Sequence, residues 1–246
     1  MQTNLNPYQS PSASLDGPDA PLSPRTRSTK RALLVYAAVA ALSIGFEVFS
    51  YMYLGQLASG ARLGGIAPQL FDRVTRLLAV SQLGVFVVTG VLILRWIYRA
   101  RECLDALKAA GLRFSPGWSI GWYFVPVANL WKPFQAMNEL WKASSAPQAW
   151  RDQPTPSLLR WWWGLWLLVS LLGQAVSGLL PQARTLEQLQ ALSLLSVCTF
   201  TTHIALAATL AAIVERVESM QRVRFADVAP RAAPPLDTNP ETKPAV

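Results

Sequence analysis

Four stretches of the chain are apolar for about the 20 residues a helix needs to cross a bilayer. They are Ala32–Gly55 (ALLVYAAVAALSIGFEVFSYMYLG), Leu77–Tyr98 (LLAVSQLGVFVVTGVLILRWIY), Trp161–Leu180 (WWWGLWLLVSLLGQAVSGLL) and Ala191–Val214 (ALSLLSVCTFTTHIALAATLAAIV). Helix punctuation frames them. Thr185 and Gln188 have capping-box spacing before the fourth run. Thr155-Pro156 offers an N-cap with Pro behind it. The second helix is expected to run on through RARECLDALKAA and stop at Gly111, a natural left-handed cap. The first run follows Arg25, Arg27, Lys30 and Arg31, and it exceeds the roughly 7–15 apolar residues of a signal peptide, so it reads as an uncleaved anchor.

A fifth apolar segment breaks this pattern. Between the second and third runs lies FSPGWSIGWYFVPVANLWKPFQAMNELWKAS, residues 114–144. Its apolar core, Trp118 to Trp131, would span only about 21 Å as a helix, short of the bilayer. Pro126 and Asn129 mark a break, and Pro133 fits the first turn of a second helix that Asn129 would cap. Along that helix Leu130, Phe134, Met137 and Trp141 form an apolar stripe expected to be buried, with Gln135, Asn138, Glu139 and Lys142 off it. Gly117 and Gly121 are spaced for close approach of another helix. Residues 116–144 therefore read as a helix–break–helix element, re-entrant or lying in the interface, with Trp118, Trp122 and Trp131 as anchors. Two roles stand side by side: a wedge completing the bundle, or a surface for a lipid or a partner.

Charge orients the chain. Basic residues crowd the stretch before the first run, the stretch between the second and third, and the stretch after the fourth. The other two loops hold Arg62, Arg73, Arg76 and Arg184. The positive-inside rule then places both termini and the 116–144 element in the cytoplasm. Composition agrees with a membrane protein: 52% hydrophobic and 15% charged, where soluble domains carry about 25% charged. The net charge of +8 then belongs to helix ends and lipid headgroups; no nucleic-acid-binding signature accompanies it. Residues 1–30 and 226–246, rich in Pro and polar side chains, are expected to be disordered tails flanking a domain over 31–225.

Candidate chemistry is sparse. Glu47 is the one acid inside a spanning run, and Gln82 and Gln174 lie at similar depth. His203, the single histidine, sits midway along the fourth run with Gln174 as a candidate partner. These four are either hydrogen-bonded packing groups or a proton or cation path; a continuous cavity joining Glu47, Gln174 and His203 would favour transport. Ala37, Ala41 and Gly45, and likewise Gly173 and Ser177, form small-residue ridges for packing. Arg95, Arg99 and Arg101 beside Trp96 are either a plain anchor or a grip for a phosphate headgroup. Cys103 and Cys198 are too far apart in sequence for a CxxC site, and no nucleotide-binding, zincin or hydrolase signature occurs. No catalytic, cofactor-binding or metal-binding residue is assigned.

GLRFSPGWSIGWYFVPVANLWKPFQAMNELWKAS (111–144) followed by WWWGLWLL (161–168) resembles the hallmark blocks of the bacterial domain-of-unknown-function family 4328. The resemblance extends from the first apolar run to about Arg224. It implies a bacterial multi-pass membrane protein and supplies no activity. The expectation is an all-α, four-span bundle of the bacterial inner membrane with a cytoplasmic-side broken helix pair. Its role is that of a non-enzymatic component binding a lipid or a partner protein. Transport through Glu47 and His203 is the alternative and an intramembrane enzyme the third reading, with self-association left open.

Overall fold

The computed structural model describes residues 23–59 and 68–228. Among these residues there is no strand. The helices are α1 (Pro24–Ala58), α2 (Pro68–Ala106), the short α3 (Pro116–Gly121), α4 (Lys132–Ser145), α5 (Ser157–Leu179) and α6 (Leu186–Val228). Four of them, α1, α2, α5 and α6, are long and apolar enough to cross a membrane. Residues 1–22 and 229–246, most of the expected tails, lie outside the described residues.

Three of the long helices overrun their apolar cores. The tail expected to reach residue 30 instead gives way to α1 at Pro24. Ser23 caps this helix, its Oγ accepting from the Thr26 N–H, with Pro24 behind it. The Glu218 carboxylate of α6 accepts from the Ser23 N–H at 2.6 Å and the Ser23 hydroxyl at 3.0 Å, and from the Thr26 hydroxyl. An anion at a helix N-terminus satisfies its unpaired donors and complements its dipole. Likewise α6 continues to Val228, beyond the expected start of the tail at 226.

The second helix stops earlier than expected. Lys108, not Gly111, takes the left-handed conformation that ends it, with φ of 53°. The Ala109 N–H reaches back to the Leu104 carbonyl and the Lys108 N–H to that of Asp105, the paired bonds of a Schellman cap. Gly111 is also left-handed (φ 62°), and a Cβ there would meet Arg151 at 2.7 Å. Two other expectations divide. The Thr185/Gln188 capping box is present, each side chain taking the other's backbone N–H at 3.2 Å. Thr155 caps nothing: α5 opens at Ser157 behind Pro156, with no side-chain cap.

The core is concentrated at one end of the bundle, here called the basal end, where α1 begins and α2 and α6 finish. Trp96, Ile97, Ala100 and Leu104 of α2 meet Leu210, Ile213, Val214 and Val217 of α6. Met137, Leu140 and Ala143 of α4 and Leu159 and Trp162 of α5 complete it. Towards the far end α2 and α5 turn large apolar side chains outward, among them Leu77, Leu83, Phe86 and Leu171. α6 is the central post, packed chiefly on α1 and then on α5. The packed face of α1 carries Leu33, Tyr36, Ala40 and Ser43. Of the expected Ala37/Ala41/Gly45 ridge only Ala37 packs on the core; Ala41 and Gly45 are exposed, and a Cβ at Gly45 would meet nothing within 4 Å. Gly173 has open space too, and Ser177 is exposed. The small residues that α1 does bury are Ala40, Ser43 and Ser50, and a Cβ at Gly55 would meet the Gln190 amide of α6 at 2.9 Å.

Candidate functional site: the broken helix pair and the polar strip

Ser115 caps α3, its Oγ accepting from the Trp118 N–H at 3.3 Å, and Pro116 occupies the first turn. After Gly121 the chain narrows to a 3-10 turn, Trp122–Phe124, then breaks. Pro126 has no N–H to continue a helix. Its carbonyl instead accepts from the Ala128 N–H at 2.7 Å, two residues on, which forces Val127 to φ 66° and ψ −52°. This is a tight γ-turn in its rare positive-φ form, strained for a β-branched residue. A second 3-10 turn, Ala128–Leu130, leads into α4 with Pro133 in its first turn, as expected. Asn129 does not cap α4; the N-cap is Trp131 without a side-chain bond, and the Asn129 Oδ1 is buried with no partner.

α4 is rotated from its expected orientation. Its buried face is Pro133, Ala136, Met137, Leu140, Ala143 and Ser144, so Met137 is inside while Leu130 is 55% exposed and Phe134 and Trp141 are half-buried. Glu139, expected off the buried side, is 3% exposed. Its carboxylate accepts the backbone N–H groups of Arg113 (2.9 Å) and Phe114 (3.1 Å). No sequence pattern signals this contact, because its partners are backbone groups in a loop 25 and 26 residues away. The far end of α4 is tied in by Gln221, which donates to the Ala100 carbonyl and the Ser144 hydroxyl. Trp150 and Arg151 donate to the Ala110 and Gly111 carbonyls.

The apex of the element stays uncovered. Phe124 is 73% and Val127 68% exposed, with Leu130, Trp118 and Trp131 also exposed. Just behind the apex, Tyr123 meets the edge of Trp166 on α5 at 6.0 Å, and burial raises its phenol above the ordinary value, leaving it neutral. Trp118 and Trp122 pack at 4.6 Å, and the Lys132 ammonium lies over the Trp122 and Phe114 rings at 5.4 and 5.8 Å. Gly121 touches the Trp118 ring of its own helix and Gly117 has open space, so the expected glycine-mediated helix approach does not occur.

Within the bundle, the four polar candidates are only partly gathered. Glu47 and Gln82 line a cleft of about 200 Å³ between α1, α2 and α6, and Glu47 also faces the Ser193 side chain. Gln82 is set against Tyr36, whose ring packs on His203 at 5.5 Å. His203 also meets Phe200 at 6.0 Å, and its Nδ1 is buried without a partner. Gln174 stands apart, exposed on α5. The three basic residues near Trp96 separate as well. Arg99 pairs with Glu102, and Arg101 is buried between Asp105 and the Phe114 carbonyl, whereas Arg95 lines a cleft with Arg25. Among the described residues no group of three or more metal-ligating side chains converges.

The sequence of residues 65–219 matches a family described as Domain of unknown function (DUF4328), over well more than half of the chain. The chain belongs to this family. The match begins after the first apolar run, so the resemblance expected to include that run is narrower at its N-terminal side. It covers α3, the break, α4 and their contacts on α5 and α6. No curated protein and no solved structure matches the chain.

Proposed function

We propose that this family member is a non-enzymatic component of the bacterial inner membrane, with both termini cytoplasmic, that engages lipid through its broken helix pair. The observation that carries the reading is the uncovered apolar apex, Phe124, Val127 and Leu130, held on a rigid base. Two levels support a shallow re-entrant seat. The Phe114 carbonyl is bonded to Arg101, three residues beyond the apolar run of α2. Tyr123 touches Trp166, five residues inside that of α5, or about 7.5 Å. The six residues of α3 cover about 9 Å, enough to descend from headgroups into the first acyl carbons. The broken backbone meets its own hydrogen-bonding needs in part: the N–H groups of Ala128, Asn129, Leu130 and Trp131 bond to the carbonyls of Pro126, Val125, Val127 and Ala128.

Transport is the weaker reading. The Glu47–Gln82 cleft does not include His203, and Gln174 lies outside it.

Depth-dependent quenching tests the seat. A fluorophore on Phe124→Cys or Leu130→Cys, in a Cys103→Ser, Cys198→Ser chain in vesicles, should be quenched by lipids labelled high on the acyl chain. One on Gln148→Cys should not. Equal quenching of all three by a water-soluble agent would overturn the proposal.

A further inference from the structure

Beside the apex lies a hollow of about 420 Å³ lined by Arg113, Ser115, Trp118, Trp122, Lys132 and Gln135. No carboxylate lines it. Five other basic side chains at this end are ion-paired: Lys30 to Glu215, Arg99 to Glu102, Arg101 to Asp105, Arg222 to Glu218, Arg224 to Asp227. Arg113 and Lys132 make no such pair among the described residues. Glu139 is buried and accepts from the Arg113 and Phe114 backbone N–H groups, which limits its reach into the hollow. Lys132 starts at the apical end of α4, yet its ammonium lies back over Trp122 and Phe114, the direction a lysine takes when its stem lies in hydrocarbon and its charge seeks headgroups. Donors beyond the two cations line the hollow in Ser115 and Gln135.

We infer that this hollow binds a phosphate group, with Arg113 and Lys132 as its cationic contacts and the Trp118–Trp122 pair as its apolar wall. Arg offers a planar fork to phosphate oxygens and Lys a point charge. The exposed Phe124 and Val127, in the chain between the lining residues Trp122 and Lys132, suit acyl chains, so an anionic glycerophospholipid of the same leaflet carries both halves of the match. This rests on the membrane seat proposed above. The two fail separately: an unquenched apex removes the seat, whereas a quenched apex without anion preference removes only the hollow.

The test uses the full chain in neutral detergent, with lipid retention read by native mass spectrometry. Phosphatidylglycerol should be retained in preference to phosphatidylcholine. Arg113→Gln and Lys132→Gln should each weaken that retention roughly fivefold, and the double variant roughly twenty-five-fold. Lys132→Arg should keep it, and Arg216→Gln, an exposed cation on α6, should change nothing. Thermal unfolding of each variant checks that the fold is intact, and the single variants carry the test where the double one unfolds. Glycerol phosphate, added free, separates the sources. Displacement of phosphatidylglycerol by it assigns a soluble phosphate ester as ligand; failure to displace assigns the lipid. Undiminished retention in the Gln variants, or an equal loss in Arg216→Gln, would overturn the site and leave only diffuse surface charge.

Discussion

The Glu139 carboxylate takes the backbone N–H groups of Arg113 and Phe114 in a place closed to water. Hydrogen bonds to a charged acceptor contribute about 1.5–3 kcal/mol each, and stranded buried donors add a penalty. Glu139→Ala should therefore destabilise the chain by roughly 3 kcal/mol in denaturant unfolding. Asn129 supplies the contrast. As a cap it would be worth about 1 kcal/mol, but its buried Oδ1 has no partner, so Asn129→Ala should cost less than about 0.5 kcal/mol. The same titration measures both, and equal losses would refute this ordering. Neither outcome is legible in the sequence. Asn129 has the right residue type at the right distance from Pro133, and Glu139 looks like any polar position on an amphipathic helix; the difference lies in which backbone groups the folded loop presents.

At the scale of the element, the break is written in the chain and its geometry is not. Pro126 and Pro133 announce an interruption. That Val127 would carry the positive φ follows from closing the turn so tightly that Phe124 and Leu130 flank one apex. Val127→Gly and Val127→Ala remove the same exposed side chain, but only glycine relieves the backbone. Val127→Gly should exceed Val127→Ala in stability by roughly 1 kcal/mol or more, despite the entropy glycine adds to the unfolded chain. Thermal unfolding of the two in one detergent decides it; a less stable glycine variant would mean that the turn is not held in this form. The rotation of α4 belongs to this scale as well. Met137 was legible as a core position, while of its stripe mates Leu130 faces outward and Phe134 and Trp141 are only half-buried, because α4 packs on α6, α2 and α5 rather than lying flat on one surface.

Across the whole molecule, the basal end is a closed hydrogen-bonded layer. Glu218 of α6 holds the start of α1, Gln221 joins α2 to α4, and Arg224 bonds the Ser145 carbonyl. Such a layer, bearing the basic flanks, is expected on the cytoplasmic side of four crossings. A reporter active only in the periplasm should be silent when fused after Ser144 and after Val246; activity at either would overturn the topology.

The sequence by itself determined the helical class, the four bilayer-length runs, the break at Pro126 and the capping box at Thr185, since each depends on residues close together in the chain. The short, broken helices between the second and third runs were legible too, because Pro126 and Pro133 lie within the segment itself. Tertiary structure alone decided that Lys108 ends α2, that Glu139 is buried, that Gln174 is parted from His203, and that Arg113 and Lys132 share one hollow. Those outcomes turn on helix rotation and on which backbone donors a loop leaves unpaired. A periodic pattern of apolar residues specifies a face but not the neighbour that will cover it.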